Sequence, residues 1–167
     1  MNPHPCGYWG NLGKIRGKQC RCSVRQIENY RQRISGPLLD RIDIHCEVPL
    51  VDFRELTSGT PSGESSAVIR ESVVAARQIQ QERFRKSGHT TNAAMSSRQV
   101  RRHCQFNAET TGYLEHAMEE MSFSARAHDR ILKVARTQPD LAGAPDIRPS
   151  DNLEAIQYRS LDRKLFS

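Results

Sequence analysis

From residue 65 onward the apolar positions recur at helical rather than strand spacing. Ala127, Ile131, Val134 and Ala135 fall on one face of a 3.6-residue repeat. Small polar residues sit where helices would begin, because their side chains can accept the unpaired N–H groups of a first turn. They predict a helix from about Ser65 to Lys86, broken by Gly88-His89-Thr90-Thr91-Asn92. Ser96 caps a short helix over Arg98–Gln105, Asn107 one through Met121, and Ser124 one through about Ala135 or slightly beyond. Ser150 caps the last, through Leu161. Proline inside a helix removes a donor and crowds the preceding turn, so Pro139 should end or kink the Ser124 helix early.

The first third of the chain reads differently. Residues 1–22 are too rich in glycine and proline (Pro3, Pro5, Gly7, Gly10, Gly13, Gly17) for a helix and suit a loop or hairpin. Ser23 can cap a helix over residues 24–34, and a turn follows at Ser35-Gly36-Pro37. Ile42-Asp43-Ile44-His45-Cys46-Glu47-Val48 alternates apolar and polar residues as a strand does, and Pro49 ends it. Residues 50–63, closing in Thr57-Ser58-Gly59-Thr60-Pro61-Ser62-Gly63, read as a linker. The fold class expected is mainly α: a helical bundle over residues 64–167, a linker at 51–63, and an incomplete α/β edge with a Cys-rich insertion at 1–50.

Charge sharpens this division. The net charge is +6, and residues 1–34 carry all of it, with seven basic residues (Lys14, Arg16, Lys18, Arg21, Arg25, Arg31, Arg33) against Glu28. A local basic cluster suits a polyanion such as DNA, with residues 14–33 as the contact; a solvated helix face explains it equally well. No apolar run reaches the roughly 18 residues of a transmembrane helix, and no secretory h-region opens the chain. A membrane is not an expected partner, and the cytoplasm is the expected location.

Three sets of residues could carry chemistry. His4 and Cys6, with Cys20 and Cys22, are one imidazole and three thiols, a set that suits tetrahedral Zn²⁺. Unrelated loop thiols are the alternative. Arg41 precedes the expected strand, where a permanently charged guanidinium could fork onto phosphate oxygens of another subunit. Read from these residues alone, an ordinary surface salt bridge to Asp40 or Asp43 is the better account of it. Arg126 and Arg130 are four apart and share a helix face. Arg126 lies in a first turn, where the helix dipole disfavours a cation, so it could serve an external anion; a solvated polar face is the alternative. There is no G-x-x-x-x-G-K-[ST] phosphate loop, no G-x-S-x-G and no H-E-x-x-H. From its own residues the chain is not a self-contained enzyme.

Several segments together resemble the magnesium-chelatase-like AAA+ ATPases of ComM/YifB type. Met1-Asn2-Pro3-His4-Pro5-Cys6-Gly7 is similar to the segment M-N-P-C-P-C-G that ends a core strand in that family. Ser35-Gly36-Pro37-Leu38-Leu39-Asp40-Arg41-Ile42-Asp43-Ile44 resembles its arginine-finger segment. Arg101-Arg102-His103-Cys104, Leu132-Lys133-Val134-Ala135-Arg136-Thr137 and Leu153-Glu154-Ala155-Ile156-Gln157-Tyr158-Arg159 resemble landmarks of its helical lid. His4 departs from the family's Cys, and Gln138-Pro139 from its Ile-Ala.

The resemblance implies a C-terminal piece of a ring-forming, hexameric ATPase that uses ATP and Mg²⁺, with neighbouring identical subunits as partners. It implies that Asn2 is the sensor-1 residue orienting the attacking water. Arg41 would be the finger reaching ATP in the next subunit, and Arg126 the sensor-2 arginine of the lid. The function implied is a DNA motor in recombination or transformation. The alternatives are a chelatase-like motor driving metal insertion through a protein partner, and a metal-bound nucleic-acid-binding module.

Overall fold

The computed structural model describes residues 22–33, 35–39, 41–46, 63–121 and 123–159. The chain divides into two compact units: Met1–Pro61 with Leu161–Ser167, and Ser62–Ser160.

In the first unit, α1 (Val24–Arg31) starts where Ser23 and Gln26 form a reciprocal cap. The Gln26 N–H donates to Ser23 Oγ at 3.3 Å, and the Ser23 N–H donates to Gln26 Oε1 at 2.9 Å. Two orphan donors are satisfied by residues three apart, so the start is locally encoded. The helix ends sooner than residue 34. A single helical turn, α2 (Gly36–Leu39), follows. The strand expected over 42–48 does not form across its described part, residues 42–46. Ile42 and Ile44 are exposed there. Alternation selects a strand only when a neighbouring edge takes up the backbone groups, and no strand exists among the described residues. Residues 1–21, with the expected Cys-rich hairpin, and the linker residues 50–62 lie outside the described residues.

The second unit is the helical bundle. It comprises α3 (Ser66–Arg83), a 3₁₀ turn (Asn92–Ala94), α4 (Ser97–His103), α5 (Ala108–Glu120), α6 (Ala125–Ala142) and α7 (Pro149–Gln157). The expected caps appear at Ser65, Asn107 and Ser124, whose side-chain oxygens accept from the N–H groups of Val68, Thr110 and Ala127. At Ser96 the backbone N–H donates to Gln99 Oε1 at 3.0 Å. Helix α6 is central: it packs against α3, the 3₁₀ turn, α4 and α7. Its Ile131, Leu132 and Ala135 enter one core with Phe84, Val100, Leu114 and Ile156. Each large side chain buried in this way contributes about 1.5–3 kcal/mol.

Two boundaries differ from expectation. Pro139 does not end α6, which runs to Ala142 and stops at Gly143 in a left-handed conformation (φ 66°). Asp140, the residue after the proline, is bound by Arg83, Asn92 and Arg136, and these contacts hold the last turn in place. Helix α7 begins at Pro149 rather than after Ser150. Proline at a first helical position loses no hydrogen bond, and Asp151 Oδ2 accepts from the Arg148 N–H at 2.8 Å. No helix among the described residues is long and apolar enough to cross a membrane.

Candidate phosphate-facing arginines

Arg126 is presented by the first turn of α6. Ser124 caps that turn at 3.1 Å, and Ala127 and Ile131, 0% and 1% exposed, fix its inner face in the core. With Ala127 turned inward, Arg126 is left on the surface. Its guanidinium has no ion pair with a described residue, and the first turn holds no acid. The helix dipole disfavours a cation there, and an anion arriving from outside would reverse that penalty. One turn on, half-buried Arg130 lies on the same side of the helix. Between them Asp129 accepts from Ser97 Oγ at 3.2 Å, which ties α6 to α4.

Arg41 lies in the other unit, just past α2. Its N–H donates to Leu38 O at 3.0 Å, and its side chain is exposed. The guanidinium has no ion pair with another described residue, Asp43 included. Asn2, His4, Cys6 and Cys20 lie outside the described residues, and so does Asp40. Cys22, the remaining candidate zinc ligand, is half-buried directly before the Ser23 cap. Of the basic segment 14–33, Arg25 and Arg33 are exposed on or just beyond α1.

The most heavily bonded polar group among the described residues escaped sequence reasoning. Asp140 is fully buried in its side chain. Arg83 grips both its oxygens, with Nη1 on Oδ2 at 2.7 Å. Asn92 Nδ2 donates to Oδ2 at 2.8 Å, and Arg136 Nη2 donates to Oδ1 at 3.1 Å. Burial pushes the Asp140 carboxyl up, but the hydrogen bonds of Arg83 and Asn92 and the charges of Arg83 and Arg136 outweigh it. The net result lies below the usual carboxylate range. Arg136 also donates to Pro145 O at 2.8 Å. The network thereby clamps α3, the 3₁₀ turn, α6 and the loop to α7 into one body. The only local signal for it is the Arg136–Asp140 spacing of four, and that spacing straddles Pro139.

Comparison with known proteins identifies the family. Residues 63–159 match the family described as magnesium chelatase, subunit ChlI C-terminal, and residues 1–56 match magnesium chelatase, subunit ChlI. The chain is 40% identical to the competence protein ComM of Haemophilus influenzae over 165 residues, 99% of this chain and 30% of that protein. It is 37% identical to the protein YifB of Escherichia coli and 36% identical to YifB of Salmonella typhimurium. Each of those alignments covers 99% of this chain and 31% of the relative. The chain thus spans about a third of the length of these relatives. With more than half of its residues inside one family match, the chain belongs to the magnesium chelatase family, as a relative of ComM and YifB.

Proposed function

We propose that this chain supplies the helical lid and two phosphate-directed arginines to an AAA+ ATPase that assembles as a ring and moves on DNA. The observation that carries the proposal is Arg126: an exposed guanidinium, without an ion pair among the described residues, held in the first turn of the central helix. In this reading Arg126 meets the phosphates of ATP bound by its own subunit. Because α6 is clamped to α3 through Asp140, a pull on Arg126 would move the bundle as a body. Arg41 reaches the nucleotide of the neighbouring identical subunit and adds fixed positive charge as the phosphoryl group transfers. Asn2 orients the attacking water. Mg²⁺, bound elsewhere in the intact protein, would neutralise charge on the β- and γ-phosphates.

His4, Cys6, Cys20 and Cys22 would hold a structural Zn²⁺ and brace a segment with little apolar core of its own. The basic residues of 14–33 would contact DNA through its phosphates, which dominate non-specific affinity. One relative is named for competence, which supports a nucleic-acid substrate. A cytoplasmic location belongs to the same reading.

The test is the ATPase rate of the intact protein with and without single-stranded DNA. DNA should raise the rate, and Arg41→Ala should lower it by a factor on the order of 10³. Arg126→Ala should lower it without changing the melting temperature. A rate indifferent to DNA would favour a chelatase-like motor acting through a protein partner. An Arg41→Ala rate equal to the natural one would remove the trans arginine.

A further inference from the structure

A second basic region lies inside the helical unit, where whole-chain charge counting hides it. Residues 83–103 hold six arginines and lysines and no aspartate or glutamate. Arg83 is consumed by Asp140, and Arg85 faces Glu82 at 3.8 Å. The remaining four, Lys86, Arg98, Arg101 and Arg102, are all exposed, and none has a side-chain hydrogen bond or ion pair with another described residue.

Packing gathers these four. On α4, Val100 and Cys104 enter the core. Gln99 Nε2 donates to Ser87 Oγ at 3.2 Å, and His103 meets the Phe84 ring edge-on at 5.6 Å. The turn after α3 is therefore held against one flank of α4 and carries Lys86 with it. Positions 98, 101 and 102 are spaced three and four apart and form one outward ridge. Arg102 also borders a polar cleft of about 530 Å³ with Arg83 and Arg136. Burial, followed by the charges of Arg102, Arg83 and Arg136, lowers the His103 pKa. Cations in a last helical turn offset its dipole, which would account for Arg101, Arg102 and His103. It does not account for Arg98 in the first turn, nor for Lys86.

We propose that the α4 ridge of Arg98, Arg101 and Arg102, extended by Lys86, binds the phosphodiester backbone of DNA. The choice of DNA over another polyanion rests on the motor reading above; the ridge itself does not. Guanidinium and ammonium groups left unpaired and gathered on one face suit repeating phosphates, and each contact made releases a condensed counterion. Arg101 also borders a largely apolar groove that Glu115 and Glu119 help to line.

The experiment uses the intact protein and a labelled single-stranded oligonucleotide, with affinity measured across a salt series. Combined Arg98→Gln, Arg101→Gln and Arg102→Gln should weaken binding about tenfold or more at low salt. The slope of log affinity against log salt should shrink by about two. The combined Arg→Lys variant keeps the charge and should bind within about twofold of the natural protein. Single Arg98→Gln and Arg102→Gln should each shift the slope by about 0.7, and they replace the triple variant if it melts early. Unchanged DNA affinity in the Gln variants would overturn the proposal. So would an intact protein that binds no DNA, or loss of an acidic protein partner with DNA affinity retained. DNA-free ATPase activity should not change in these variants. If Arg41→Ala leaves hydrolysis untouched while the α4 variants still lose DNA, the motor mechanism fails and the ridge stands.

Discussion

Arg83 and Asp140, 57 residues apart, form a two-pronged ion pair in which the carboxylate is wholly shielded from water. Breaking such a pair from one side strands the partner charges, which here belong to Arg83 and Arg136, 12% and 9% exposed. Asp140→Ala should therefore destabilise the protein by about 3–5 kcal/mol. Chemical denaturation measures this directly. A loss under about 1 kcal/mol would mean that the network is incidental to the fold.

The same carboxylate sets an acid limit. Its folded pKa lies below the ordinary value of 3.8, which the unfolded chain retains. The stability it contributes is fully present above about pH 4, and it is lost as pH falls through the folded value. Asp151 acts in the same direction: burial raises its pKa, but the hydrogen bonds and charge of Arg148 outweigh that effect. The melting temperature should fall steeply below about pH 4 in the natural protein and less steeply in Asp140→Asn. Parallel pH profiles for the two would contradict this assignment.

Two glycines should respond in opposite directions. Gly143 ends α6 with φ 66°, a conformation that costs a residue with a Cβ about 1–2 kcal/mol. Gly112 sits inside α5 with open space where a Cβ would go. Alanine should destabilise the protein at 143 by about 1 kcal/mol and stabilise it at 112 by about 0.5–1 kcal/mol. Thermal melts of the two variants should shift apart, and shifts of one sign would refute the distinction.

Cysteine reactivity should divide by burial. Burial pushes the Cys104 thiol up to about 11, against a smaller downward pull from Arg136 and Arg83. Cys46 is exposed. Alkylation near pH 8 followed by peptide mass mapping should modify Cys46 promptly and Cys104 only on unfolding. Prompt modification of Cys104 in the folded protein would show that the core around Phe84 and Leu114 opens readily.

Much of the helical unit was legible because its signals are short-ranged. Ser65, Asn107 and Ser124 each act on a donor three residues away. Arg126 could be singled out because a cation in a first turn is locally anomalous. At α7 the first turn is set by Pro149 and Asp151 and not by a cap at Ser150. The α4 ridge was missed for a different reason. Acids elsewhere in the chain cancel its charge in any long count, and only packing brings the turn that carries Lys86 against the helix that carries the three arginines.

By itself the amino-acid sequence determined where α3, α5 and α6 start and which face of α6 turns inward. Each of these depends on interactions within one or two turns. The tertiary structure alone decided that residues 42–46 stay out of a strand, that α6 continues past Pro139, and that Asp140 joins Arg83. A strand needs a second edge, and a buried carboxylate needs charges brought from distant segments. Both partners are chosen by packing and not by neighbours along the chain.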